Sequence, residues 1–146
     1  MGETIPIGAD HAGYALKKRL LAELRTMGFE PLDLGVYNAD PADYPEFAHA
    51  VAGRVERGEA KRGVLLCGTG LGMSYAANRH HGVRAAVTWN ADIAKLARRH
   101  NDANLLVLPA RFVTEDEGVA ILKQWLATSF EGGRHERRVE KIEVGE

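Results

Sequence analysis

Short apolar runs alternate with longer amphipathic segments along this chain, and that alternation constrains its fold more than any other feature. Residues 5–8, 30–34, 63–67, 84–89 and 105–108 read as strands. Residues 15–27, 47–56, 72–79, 91–100 and 114–128 read as helices. In the first helix Leu16, Leu20, Leu21 and Leu24 share one face, with Lys17, Lys18, Arg19 and Arg25 turned away. Gly28 stands where a helix C-cap belongs. Ile93, Leu96 and Ala97 form the expected buried stripe of the fourth helix, and Thr114 with Glu117 spells a capping box at the start of the fifth. The run 63–67 is apolar without interruption, as in a strand covered on both faces. Strand–helix alternation of this kind predicts an α/β fold: one three-layer α/β/α sandwich around a five-stranded parallel sheet. After Gly132-Gly133, residues 134–144 form a charged tail or a final helix.

A length of 146 residues suits a single domain. Lys and Arg total 19 against 20 Asp and Glu, which argues against a broad basic surface for nucleic acid. No apolar run approaches the roughly 20 residues that span a bilayer. The start, Met1-Gly2-Glu3-Thr4-Ile5, lacks the pattern of a secretory signal. Cys67, the single cysteine, excludes an internal disulfide and fits a reducing, cytoplasmic compartment. No metal-ligand spacing is evident, so no metal is expected. His49, His80 and His81 read as surface residues.

In parallel sheets ligands bind outside the carboxyl ends of the strands. Residues 8–11, 34–37, 67–72, 89–92 and 109–111 occupy those ends. The most informative is Cys67-Gly68-Thr69-Gly70-Leu71-Gly72-Met73-Ser74, where a buried strand delivers a cysteine into a glycine-rich turn before a helix. Such a turn lets successive N–H groups face a phosphate, a carboxylate or an enolate oxygen, and the same field favours a thiolate. The competing reading is a nucleotide-binding turn with Cys67 as a small core residue. The spacing is G-x-G-x-G rather than G-x-G-x-x-G, which weakens that reading.

Asp10 and His11 end the first strand; Asp10 could cap the following helix or hold ligand hydroxyls. His100 closes a helix, where the dipole alone would favour it, and Asn101, Asp102 and Asn104 suit the turn that follows. Its distance from the glycine turn does not follow from topology alone. Arg134 and Arg138 are four apart and share a helix face; with Arg111 they make a candidate phosphate clamp. A tail this polar, residues 132–146, is expected to reach a partner subunit.

Gly8-Ala9-Asp10-His11-Ala12-Gly13, Asp43-Tyr44-Pro45, the Cys67 turn, Ala76-Ala77-Asn78-Arg79, Gly82-Val83-Arg84-Ala85, Arg99-His100-Asn101-Asp102-Ala103-Asn104 and Gly132-Gly133-Arg134-His135 with Arg138 together resemble the ribose-5-phosphate isomerase B family and its sugar-phosphate isomerase relatives. The resemblance runs in one order over nearly the whole chain.

What the resemblance implies is a Rossmann-like sandwich that interconverts ribose 5-phosphate and ribulose 5-phosphate through a cis-enediolate, without a cofactor. It also implies a homodimer or dimer of dimers with a shared active site. On the matching positions Cys67 would be the base, Thr69 would assist proton movement, and His100 would help open the furanose ring with Asp10 nearby. One branch of the family uses a glutamate a few positions later; here the cysteine is present and Tyr75-Ala76 offers no acid. His11, Arg111, Arg134 and Arg138 would hold the phosphate, and the backbone of Gly68, Gly70, Leu71, Gly72, Met73 and Ser74 the enediolate. Tyr44 and Asn101 would also touch substrate; Asn38, Tyr44, Trp89 and Asn90 are candidates for setting sugar length. Tetrose 4-phosphate, allose 6-phosphate and galactose 6-phosphate are competing substrates. A non-catalytic phosphate- or nucleotide-binding domain is the alternative from another class.

Overall fold

Each strand is followed by a helix that carries the chain back across the sheet, so successive strands run the same way. The computed structural model describes residues 2–145. Its elements are β1 (Thr4–Ala9), a 3-10 turn (His11–Gly13), α1 (Tyr14–Thr26), β2 (Glu30–Asp33), α2 (Tyr44–Glu56), β3 (Gly63–Cys67), α3 (Leu71–Ala77), β4 (Ala85–Val87), α4 (Ala91–Asn101), β5 (Leu105–Pro109), α5 (Glu115–Ala127) and α6 (Arg134–Glu140). The sheet is parallel throughout, in the order β2-β1-β3-β5-β4. The chain leaves β1 toward β2 on one side and returns to β3 on the other. The crevice between β1 and β3 is therefore the switch point where ligands bind in such sheets.

Period-two alternation in the central strands builds the layers. Val64, Leu66, Leu106 and Leu108 face one side and pack with Leu16, Leu20 and Leu24 of α1, Ala94 of α4, and Ile121, Leu122 and Trp125 of α5. Leu65, Cys67, Leu105 and Val107 face the other side, against Ala48, Val51 and Ala52 of α2 and Met73 and Ala77 of α3. Trp125 is fully buried, with the guanidinium carbons of Arg62 and Arg98 at 5.6 and 6.0 Å from its ring centroid. Each large apolar side chain removed from water in this way contributes about 1.5–3 kcal/mol. Among the described residues no helix is long and apolar enough to cross a membrane.

Thr114 and Glu117 form the expected reciprocal capping box, and Gly28 follows α1 with φ +89°. Four expectations need correction. Lys17 does not turn away: it is 1% exposed and donates to the Asp33 carboxylate and the Val36 carbonyl. Its long stem crosses apolar surface to reach an acid 16 residues further on. In α4 the buried positions are Ala94, Ala97 and Arg98, while Leu96 is exposed. Arg98 lies inward because Asp102 and the Ala103 and Thr128 carbonyls satisfy its guanidinium. His80 is not simply a surface residue: its ring bonds Glu56 at 2.8 Å and His49 at 2.7 Å, tying the end of α3 to α2. Helix α2 also starts at Tyr44, earlier than the pattern predicts, because Pro45 is tolerated in a first turn that needs no donor from it.

The charged tail forms α6, which lies on α4 of the same chain through its one buried residue, His135. Beyond it the Glu143 carboxylate accepts from the Gly82 N–H at 2.8 Å.

Candidate active site

Two carboxyl ends meet at the switch point. From β1 comes Asp10, whose amide donates to the Leu66 carbonyl across the strands. Its Oδ1 accepts from the amides of Ala12 and Gly13 at 3.0 and 3.3 Å, so the carboxylate caps the 3-10 turn while staying beside the crevice. His11 follows, half-buried, with Nδ1 accepting from the Ala42 amide at 3.2 Å. Lys17 steadies this corner by holding the Val36 carbonyl, and the Val36 amide donates to the Ala9 carbonyl.

From β3 comes Cys67. Its side chain is 4% exposed, packed against the α2–α3 layer. Its sulfur accepts the Gly70 amide at 3.2 Å, so the turn brings a proton donor onto the atom that would carry negative charge. Gly70 makes this possible with φ +79°, a conformation that costs other residues dearly. The Leu71 amide bonds Thr69 Oγ1 at 3.2 Å. The Ser74 hydroxyl and amide bond the Leu71 and Gly70 carbonyls. The amides of Gly72 and Met73, in the first turn of α3, lie where a helix has no acceptor of its own.

Two side chains roof this turn. The Arg111 amide donates to the Gly68 carbonyl at 3.0 Å, and its guanidinium lies so close that a Cβ on Gly68 would stand 3.1 Å from Nη1. The Tyr44 ring lies over Gly72, where a Cβ would meet it at 2.5 Å. Asp10, His11, Tyr44, residues 67–74 and Arg111 are thus one cluster.

The remaining candidates are elsewhere. His100 and Asn101 end α4 at the amino end of the sheet, where Asn104 bonds the Arg84 and Gly63 amides that open β4 and β3. Arg134 and Arg138 sit exposed on α6 beside them. One chain therefore does not bring His100, Asn101, Arg134 or Arg138 to Cys67.

Two residues to which sequence patterns assign no role stand next to His100. The His135 ring stacks on it, centroids 4.3 Å apart and planes 14° from parallel. His135 Nε2 lies 2.9 Å from Glu131 Oε2, but without the alignment of a hydrogen bond. The donor atoms of His100, Glu131 and His135 lie within 4.8 Å of one another, the spacing a divalent ion could draw together. The near-parallel rings, however, keep their in-plane lone pairs in two stacked planes. A charge run such as Arg134-His135-Glu136-Arg137-Arg138 carries no apolar periodicity to mark which residue turns inward.

Beside the Cys67 turn, Thr69, Leu71, Val87, Trp89, Pro109 and Phe112 line a shallow apolar cavity of about 390 Å³. Trp89 is 55% and Phe112 72% exposed, an apolar surface of the kind that marks an interaction face. A larger polar cavity of about 460 Å³ lies at the amino ends. Its Arg62 is engaged by Glu3, and its Arg84 and Arg98 by Asp102, so it is a network of ion pairs rather than the seat of the chemistry.

Residues 5–142 match the model of the ribose/galactose isomerase family. The chain is similar to the ribose-5-phosphate isomerase B of Escherichia coli, 43% identical over 138 residues that cover 94% of this chain and 93% of that protein. Its structure is similar to that of Clostridium thermocellum ribose-5-phosphate isomerase B, with TM-score 0.93, 47% identity, and 95% and 94% of the two chains covered. It is also similar to the Mycoplasma genitalium ribose-5-phosphate isomerase B solved with bound ribulose 5-phosphate, with TM-score 0.92, 45% identity, and coverage of 95% and 93%.

Proposed function

Because the chain belongs to the ribose/galactose isomerase family, we propose that it interconverts ribose 5-phosphate and ribulose 5-phosphate through a cis-enediolate, with Cys67 as the base. It is an aldose–ketose isomerase, and its substrate is a phosphorylated sugar. The observation that carries the assignment of the base is the Cys67 sulfur held by the Gly70 amide at the mouth of the glycine turn. The five-carbon substrate is favoured by similarity to a relative that holds ribulose 5-phosphate.

The chemistry starts from the open aldehyde. A Cys67 thiolate takes the C2 proton, the electron pair moves into the C1–C2 bond, and the carbonyl oxygen becomes an enediolate oxygen. Thr69 passes a proton from O2 to O1, and the thiol returns its proton to C1, leaving the ketone at C2. Reduction at C1 and oxidation at C2 balance within one substrate molecule, so the reaction calls for no external oxidant or cofactor. Turn amides face the developing oxyanion; one such preorganised donor is worth about 2.7–4 kcal/mol in other enzymes.

The site is completed by a second copy. His100 and Asn101, with the exposed Arg134 and Arg138 of the 132–146 tail, reach the Cys67 turn of the partner, as a homodimer or dimer of dimers. The apolar face around Thr69, Trp89 and Phe112 supports this, since it borders the turn that needs them. A two-fold pairing makes two identical sites. His100 then donates a proton to the ring oxygen as the C1 hydroxyl loses one, with Asp10 nearby. His11 and Arg111 close on the phosphate with the two arginines, whose planar forks suit phosphate oxygens. Residues 1–146 act as one domain, in a pentose phosphate step consistent with a cytoplasmic enzyme.

A coupled assay over aldose phosphates of four, five and six carbons tests the reading. The highest kcat/KM is expected with ribose 5-phosphate; a clear preference for another length would overturn the substrate.

A further inference from the structure

His100 has no hydrogen bond to its ring among the described residues, although ring opening demands an imidazole nitrogen within about 2.6–3.2 Å of the proton it moves. A histidine's second side-chain torsion is broad, so an unsupported ring at a helix end would sample many planes. What fixes its plane is the stacked ring of His135. His135 can hold that plane because it is itself held: it is 6% exposed and is the buried residue by which α6 seats on α4.

Glu131 lies against His135 in turn. Its carboxylate lies 2.9 Å from His135 Nε2, its amide donates to the Arg99 carbonyl at 2.9 Å, and its other oxygen lies 3.5 Å from Arg99 Nε. The carboxylate is therefore pinned to the last turn of α4, one residue before His100. Glu131, His135 and His100 form a bracket closed on both sides by backbone.

We propose that His135 is a positioning residue for His100, setting the plane of the ring that opens the sugar, and that Glu131 anchors it. This rests on the reading of His100 as the ring-opening group. The bracket touches no reacting atom; it acts through His100.

The substrates separate ring opening from proton transfer. Ribose 5-phosphate closes through O4 onto C1 and must be opened. Ribulose 5-phosphate cannot close a five-membered ring, because its O5 carries the phosphate. Exchange of its C1 proton with solvent deuterium requires Cys67 but no ring opening. At saturating substrate, His135→Ala is expected to slow ribose 5-phosphate conversion about tenfold or more, with deuterium exchange into ribulose 5-phosphate little changed. His135→Phe, which keeps the stacked ring, should restore most of the loss, and Glu131→Gln should give a smaller selective loss. His100→Ala is the reference. If His100→Ala is selective for ring opening while His135→Ala is silent or slows both reactions equally, the proposal falls and the role of His100 stands. If His100→Ala shows no selectivity, the ring-opening reading itself fails and the proposal goes with it. If His135→Ala does not fold, equal loss of both reactions in His135→Phe and Glu131→Gln overturns the proposal.

Discussion

Cys67 closes β3 at the carboxyl end of the sheet, and His100 stands in the last turn of α4 at its amino end. The paired strands between those ends run from Gly63 opposite Leu105 to Cys67 opposite Pro109, roughly 13 Å at the usual rise per residue. No side-chain motion within one chain closes that distance.

Mixed dimers should therefore recover activity. When inactive Cys67→Ala and His100→Ala proteins are unfolded, mixed and refolded, half the dimers carry one intact site, giving about a quarter of wild-type turnover for a two-fold interface. A mixture as inactive as its parents would mean that each site is built within one chain.

Cys67→Ala should lower kcat by about 10²–10⁴-fold, the usual contribution of a positioned acid or base. Binding of a sugar phosphate, followed by calorimetry, should change little, because the proposed phosphate ligands are other residues. Near-wild-type turnover would remove Cys67 from the proton transfer.

Arg134→Ala and Arg138→Ala should each raise KM for ribose 5-phosphate, by about tenfold or more if a charge-assisted hydrogen bond of 1.5–3 kcal/mol is lost. Steady-state kinetics checks this. The Michaelis constants of both variants staying at the wild-type value would take the tail out of the phosphate clamp.

Lys17→Ala leaves the Asp33 carboxylate without its cation and the Val36 carbonyl without its donor. The loss of unfolding free energy should be about 3 kcal/mol, the low end for breaking a buried pair, because Asp33 keeps some contact with water. Urea denaturation reads this as a lower midpoint at an unchanged slope.

Glu56 is held below the ordinary carboxylate range, chiefly by its hydrogen bond with His80 and further by the His81 amide. A carboxylate whose folded pKa is depressed stabilises the fold above its unfolded value near 4.5, and that contribution disappears as pH falls through the lower folded value. Glu56→Gln should lower Tm at pH 7, with the gap to wild type shrinking below about pH 4.5. A gap independent of pH would contradict this.

Much of the architecture is legible in the order of residues. Leu65-Leu66-Cys67 announces a strand buried on both faces, and Thr114 with Glu117 announces a helix start, because apolar periodicity and capping are matters of near neighbours. Local pattern misleads where a distant partner overrides a local preference. Lys17 is buried because Asp33 waits for it, Arg98 because Asp102 and two carbonyls do, and Leu96 is exposed because Ala94, Ala97 and Arg98 form the inward face of α4.

The candidate site divides the same way. The chain's residue order alone determined the parallel sheet, the glycine turn after Cys67 and the family resemblance, since strand period, backbone freedom and motif spacing are written along the chain. Only the tertiary structure decided that Asp10, Tyr44 and Arg111 surround that turn, that His100 lies at the far end, and that His135 stacks upon it. Those relations depend on how helices run back across the sheet and where α6 docks. Both are set by packing between segments far apart in the chain.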